Sequence, residues 1–293
     1  MFERLKQVAP RWLKTAVKEV MSIFVTPPLR LRSVLTAIHE PRKGEKIALG
    51  TRQSFSTLKQ PGVEGELPVP PKHLRMGYAE SEDEFLESGR ATARNIRAML
   101  AANDVQLGEG RTLDWGCASG RVMRWFYEEG RSAPFWGTDR DADCMAWAKE
   151  NLSPPFEFVT CSSLPHLPFE DRYFRLLWGI SVFTHIDLMF DTWMMEVRRI
   201  LEPGGHALFT IHDEHTVDHF RQSGPPTGIK GANLELIRDS EFSALKGEQW
   251  WQTYTFFGSD WLRREFGRYF DVIDYSPMAE GYQSMILLRK HPA

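Results

Sequence analysis

Cysteine is scarce in these 293 residues: Cys117, Cys144 and Cys161 are an odd number with no Cys-x-x-Cys pair. That argues against a disulfide scaffold and predicts reduced thiols in a cytoplasmic protein. Excess charge of one sign is also missing, with a formal net charge of -3 and a pI near 6.3. A nucleic-acid partner is therefore disfavoured, because neutralising phosphates takes a basic surface. No apolar run approaches the roughly 20 residues of a bilayer-crossing helix, and no secretory signal is visible. Internal repeats and low-complexity tracts are absent too. What remains is an ordinary globular composition, 42% hydrophobic and 26% charged, enough to bury a large core.

The informative stretch is Leu113-Asp114-Trp115-Gly116-Cys117-Ala118-Ser119-Gly120. An apolar strand ends in a carboxylate and enters a turn of small residues ahead of an expected helix. Small residues let a backbone pass close to a ligand, and the first amides of a helix are unpaired donors. Such a loop suits an adenosyl or nucleotide cofactor.

Around it the chain divides in two. Residues 2–24 place Phe2, Leu5, Trp12, Leu13, Ala16, Val20 and Phe24 at helical spacing among lysines and arginines. Two roles are open to this amphipathic basic helix: docking on the protein's own core, or peripheral contact with an anionic membrane. Pro27-Pro28, Pro61-Gly62 and Pro68-Val69-Pro70-Pro71 predict an irregular linker, so residues 1–71 form an extension and 72–293 a catalytic domain.

In that domain a capping box at Ser81-Glu82-Asp83-Glu84 predicts a helix to about Ala102. Strands then alternate with helices. The strands are expected at 111–114, 134–138, 156–159, 174–180 and 207–212, and the helices at 120–129, 141–151 and 188–201, the last ended by Pro203-Gly204-Gly205. The alternation implies an α/β fold with a doubly wound, Rossmann-like parallel sheet. From 214 to 258 it lapses into a candidate acceptor lid containing Trp250, Trp251 and Tyr254, within which Trp250 to Phe256 alternates enough to be a strand. A helix at 261–270 and two strands at 270–274 and 284–289, joined by a short turn, then predict a terminal antiparallel pair, giving the sheet seven strands in all.

Ligands of such sheets lie beyond the carboxyl ends of the strands, where Asp114 and Asp139 fall; an acid in the second position suits the two hydroxyls of a ribose. Gly137-Thr138-Asp139, Ala146-Trp147-Ala148, Leu167-Pro168-Phe169, Ser181-Val182-Phe183-Thr184-His185 and Leu201-Glu202-Pro203-Gly204-Gly205 follow in order. Together with the opening loop, this set resembles the successive motifs of class I S-adenosylmethionine-dependent methyltransferases over residues 76–293.

The resemblance implies S-adenosyl-L-methionine as cofactor. Asp114, Gly116, Ala118 and Gly120 would hold its methionine part and Asp139 its ribose; Cys161 and Ser162 would flank the adenine, and Gly179 to Ser181 would line the methionine side. Two departures stand out: Ala118 replaces the family's central glycine, and Cys161-Ser162 replaces its usual polar residue.

Methyl transfer to a hydroxyl needs a proton acceptor, a task that suits histidine near neutral pH. His212 is the first candidate, with His185 and His215 behind it, while Tyr282 and Gln283 are candidate acceptor contacts. No metal is expected, since neighbouring residues of a strand end point to opposite faces. The implied activity is O-methylation of a small molecule or glycan. Its rivals are a nicotinamide oxidoreductase, whose Gly-x-Gly-x-x-Gly spacing is absent, and a catalytically silent S-adenosylmethionine-binding module tethered by the N-terminal helix.

Overall fold

The computed structural model describes residues 67–246 and 253–291. The basic amphipathic segment 2–24, most of the proline-rich linker and the Trp250-Trp251 pair lie outside these residues. Among the described residues no helix is long and apolar enough to cross a membrane.

A seven-stranded sheet in the order β3-β2-β1-β4-β5-β9-β8 organises the domain. Its strands are β1 (Thr112–Trp115), β2 (Phe135–Asp139), β3 (Phe156–Thr160), β4 (Phe174–Gly179), β5 (Leu201–Ile211), β8 (Asp271–Glu280) and β9 (Gln283–Arg289). β1 to β5 pair in parallel, whereas β9 runs antiparallel to both β5 and β8. This is the expected doubly wound sheet with its antiparallel closure.

Alternation along the central strands builds two cores. Leu176, Trp178, Leu208, Met285 and Leu287 face one layer with helices Glu82–Ala102 and Ala142–Leu152. Leu177, Ala207, Phe209, Ile286 and Leu288 face the other with helices Phe190–Ile200 and Ser259–Gly267. Because both faces are covered, the strands read as nearly continuous apolar runs. The capping box is present as expected: Ser81 Oγ accepts from Glu84 N–H, and Glu84 accepts from Ser81 N–H.

Two local expectations are corrected. The glycine loop does not run into an α-helix at Gly120; it continues through a turn into a 3-10 segment, Met123–Phe126, and then helix Tyr127–Ser132. Met123, Arg124, Trp125, Phe126 and Tyr127 are all buried, so this segment faces protein on every side rather than along one helical stripe. Pro203-Gly204-Gly205 does not separate a helix from a strand but lies inside β5, where the pairing register with β4 shifts. There Gly204 N–H donates to Lys290 O and Lys290 N–H to Gly205 O.

Among the described residues, the candidate lid carries regular structure. It contains helix Glu214–Ser223, a 3-10 turn at Thr227–Ile229, helix Leu234–Arg238 and a hairpin of β6 (Phe242–Lys246) with β7 (Thr253–Phe257). Val217, Phe220, Ile229, Ile237 and Phe256 give it a small core of its own.

Candidate cofactor and acceptor site

The strand order reverses direction between β1 and β4, and the loops leaving their carboxyl ends form the crevice. All four residues of β1 are buried, which delivers Asp114 to the edge of the core and starts the loop at Gly116. Gly116 and Gly120 take φ of 78° and 80°, and Ala118 adopts the same left-handed region at 46°. A Cβ on Gly116 would lie 2.6 Å from Val182 Cγ2, and one on Gly120 2.4 Å from Leu152 Cδ1, so both positions demand glycine twice over.

Asp139 braces this loop. Its Oδ2 accepts from Ala118 N–H at 2.9 Å and its Oδ1 from Asp141 N–H at 2.8 Å. Gly120 N–H donates to Cys117 O at 2.9 Å. Two amides expected to be free for a ligand therefore have partners. The second lone pairs of the Asp139 carboxylate remain open to hydroxyl donors.

Asp114 is 2% exposed, and its Oδ2 is buried without a hydrogen-bond partner. Burial pushes its pKa up to about 7; Trp178, as a hydrogen-bond neighbour, and Arg121 oppose, and Asp139 pushes the same way as burial. Burial also raises Asp139, with its backbone hydrogen bonds opposing. A lone buried acceptor at the mouth of a crevice suits an ammonium group. Arg121 is buried, donates to Thr92 Oγ1 at 3.1 Å, and carries its guanidinium 4.1 Å from the Tyr78 ring centroid. Residues 67–81 lie over the loop: Ser119 Oγ donates to Leu74 O at 2.8 Å and Arg124 Nη2 to Pro68 O at 2.7 Å.

The remaining cofactor candidates lie at the carboxyl ends of β3 and β4. Cys161 N–H donates to Asp139 O at 2.9 Å, and burial pushes the Cys161 thiol up to about 12. Ser162 Oγ accepts from Leu164 N–H at 3.2 Å, which engages it in a turn. Gly179 ends β4 in the core, with Phe209 3.1 Å from where its Cβ would be. Ser181, at φ 57°, donates its N–H to Thr210 Oγ1 at 2.7 Å and bonds Gln283 through its hydroxyl at 3.0 Å. Gln283 thus ties the end of β4 to the start of β9.

The three candidate histidines have different fates. His212 directly follows β5, is 2% exposed, and neither ring nitrogen has a hydrogen-bond partner. Four rings surround it: Phe256 at 5.1 Å, Tyr282 at 5.7 Å, Phe220 at 6.3 Å and Tyr254 at 6.4 Å between centroids. Burial, with His185 adding and the nearby Thr255 backbone opposing, pulls its pKa down to about 3. It stays a neutral imidazole at ordinary pH and is a weaker proton acceptor than an exposed histidine.

His185 Nδ1 lies 2.6 Å from Thr253 O. A carbonyl only accepts, so Nδ1 carries the proton and Nε2 keeps its lone pair. Burial of the ring holds its pKa below the ordinary histidine value, with the Thr253 bond opposing, although the residue as a whole is exposed. His215 sits in the first turn of helix Glu214–Ser223, 43% exposed, with Nδ1 3.5 Å from Asp213 Oδ2.

Asp213, Glu214 and His215 could converge on a cation. Their carboxylates already have structural work: Asp213 caps the helix and accepts from Tyr275 OH, and Glu214 accepts from Ser259 N–H at 3.0 Å. Tyr78, His219, Phe220 and Phe256 escaped the sequence reading. Only Val217 and Phe220, three apart in a polar stretch, signalled an inward helical face.

Residues 113–209 match the family model described as a methyltransferase domain. That match assigns these residues to a methyltransferase domain. Over 137 residues the chain is 30% identical to the fatty-acid O-methyltransferase of Mycolicibacterium smegmatis (strain ATCC 700084 / mc(2)155), covering 46% of this chain and 47% of that protein. The match thus spans about half the length of that relative. Among solved structures, the PH0226 protein of Pyrococcus horikoshii OT3 has a TM-score of 0.52 at 18% identity, covering 69% of this chain and 90% of that one. An S-adenosylmethionine-dependent methyltransferase from Mesorhizobium loti has a TM-score of 0.50 at 16% identity, covering 68% and 98%. At these identities the likeness is one of fold.

S-adenosylmethionine is the cofactor that the sequence resemblance implies, and the crevice fits it. The unpartnered Asp114 Oδ2 is placed to accept from an α-ammonium group, and the left-handed loop leaves the backbone bare of side chains beside it.

Proposed function

We propose that this methyltransferase moves the methyl group of S-adenosylmethionine to an oxygen of a small, largely apolar acceptor held between the strand ends and the lid. The observation that carries this is the neutral, unpartnered His212 enclosed by Phe220, Tyr254, Phe256 and Tyr282 at the end of β5. Rings and uncharged imidazoles suit an acyl or aryl group better than a polyhydroxylated glycan. The fatty-acid O-methyltransferase relative, as named, favours a carboxylic acid among such acceptors.

On this reading Asp114 takes the ammonium of the cofactor and Asp139 its ribose hydroxyls, while the Gly116–Gly120 backbone and Ser181 line the methionine part. When bound, the cofactor supplies a methyl carbon activated by an adjacent sulfonium. The protein's task is alignment, which holds two reactants at high effective molarity. A carboxylate acceptor needs no proton removed: a C–O bond forms, the C–S bond breaks, and the sulfur leaves neutral. His212 then donates an N–H to orient the oxygen. For a hydroxyl acceptor, the proton passes to Nε2 of His185, the nitrogen left with a lone pair.

Incubating the protein with S-adenosylmethionine and, separately, hexadecanoic acid, a phenol and a methyl glycoside tests the proposal by mass spectrometry. Methylated acid or phenol with matching S-adenosylhomocysteine is expected. Methylation of the glycoside alone would overturn the acceptor assignment, and cofactor binding without turnover on an extended acceptor panel would favour a silent binding module. Calorimetry with NADH is the control for the oxidoreductase alternative, and no binding is expected.

A further inference from the structure

At the end of the sheet opposite the crevice lies a cavity of about 260 Å³ lined by Asp171, Arg172, Met195, Arg198, Arg199 and Lys290. Its cations come from three places: the turn before β4, the last turn of helix Phe190–Ile200, and the residue after β9. Basic side chains beside a helix C-terminus ordinarily neutralise its last carbonyls.

Here those carbonyls are answered almost without the guanidinium groups. Leu201 N–H donates to Val197 O. Arg172 N–H donates to Arg199 O and Tyr173 N–H to Ile200 O, both at 2.8 Å. Lys290 Nζ donates to Arg198 O at 2.7 Å and Leu201 O at 2.6 Å.

The charges that remain are unbalanced. Asp171 is held by Arg199 at 2.8 Å, and Arg199 is held in turn by Glu196 at 2.7 Å. Arg172, Arg198 and Lys290 form no ion pair among the described residues; Arg198 Nη1 donates only to the Tyr269 carbonyl, at 2.6 Å. Lys290 is 9% exposed, and its two carbonyl bonds leave one of its three N–H groups unused. Its pKa lies below the ordinary lysine value through burial first, then Arg198 and Arg172, with Asp171 opposing, as an excess of gathered positive charge requires.

We propose that this cavity binds a tetrahedral oxyanion, either free phosphate or the phosphoryl group of a small metabolite, with Arg172, Arg198 and Lys290 as donors. Guanidinium forks match the oxygen spacing of phosphate, and a buried ammonium adds a point charge at low dielectric. The site uses no residue of the crevice, so its failure would leave the methyl-transfer proposal standing.

Titration calorimetry of the full chain with inorganic phosphate and with glycerol phosphate, against chloride at equal ionic strength and pH 7.5, tests it. Saturable binding is expected. Tighter binding of the monoester would identify a phosphorylated metabolite as the source, and equal or weaker binding the free ion. The double variant Arg172→Gln/Arg198→Gln should bind at least tenfold more weakly while retaining S-adenosylhomocysteine affinity, which reports an intact fold. Absence of saturable binding by both anions, or unchanged affinity in the double variant, would overturn the proposal.

Discussion

Asp114 holds a carboxyl group in the core at a pKa of about 7, so it is roughly half protonated at neutral pH before any ligand arrives. An ammonium group placed against it favours the carboxylate, so binding should expel a proton. Calorimetry of S-adenosylhomocysteine in buffers of different ionisation enthalpy should find roughly half a proton released at pH 7, vanishing toward pH 9. Asp114→Asn should abolish the release; proton-neutral binding by the wild type at pH 7 would remove Asp114 from the ammonium site. His212 makes a second prediction. Its folded pKa of about 3 lies below the ordinary 6.5, so the unfolded chain takes up the proton first and stability falls as pH drops below 6.5. Between pH 7 and 5 this group should remove on the order of 2 kcal/mol. Urea unfolding of His212→Asn should show that much less loss over the same interval. The acids were legible in the sequence because carboxylates at the ends of core strands have little reason to be there unless they serve a ligand or a brace. The environment of His212 was not: its aromatic neighbours come from segments up to 70 residues away and meet only in the fold.

Among the elements, β1 to β5 and the antiparallel closure were readable from apolar runs, because strands covered on both faces leave little polar residue to blur them. The helices of the lid were not. Leu234–Arg238 is a single turn and a half, and helix Glu214–Ser223 is polar apart from Val217 and Phe220. Its cap, Asp213 with Thr216 three residues on, also departs from the usual pairing with glutamate or glutamine. The same lid sets the acceptor space through one contact. A Cβ on Gly228 would lie 2.7 Å from the Tyr254 hydroxyl, whose ring packs edge-on to His185 at 6.0 Å and parallel to His212. Gly228→Ala should press Tyr254 into the acceptor space and raise the KM for the acceptor several-fold with S-adenosylmethionine affinity unchanged. Steady-state kinetics would check this, and a matched loss of cofactor affinity would contradict the separation of lid from loop.

Over the whole molecule, one sheet carries two chemically opposite ends. Buried carboxylates and neutral rings gather beyond the carboxyl ends of its parallel strands, and unpaired cations gather beyond the other. The first end follows from the topology: strand order reverses between β1 and β4, so the loops after them separate and leave room for a ligand that β5, β9 and the lid then wall in. Sequence motifs pointed to the donor half because Asp114, the glycine loop and Asp139 are local. On the acceptor side they named His185, His212 and Tyr282 one by one, but not the packing of Phe220, Tyr254 and Phe256 around His212, which only the fold brings together. The most direct measurement is transfer of isotope-labelled methyl from S-adenosylmethionine to hexadecanoic acid or a phenol by wild type and by His212→Asn. The account predicts label on an acceptor oxygen, reduced at least tenfold in the variant at unchanged cofactor affinity; full-rate transfer by the variant, or label on nitrogen or carbon, would contradict it.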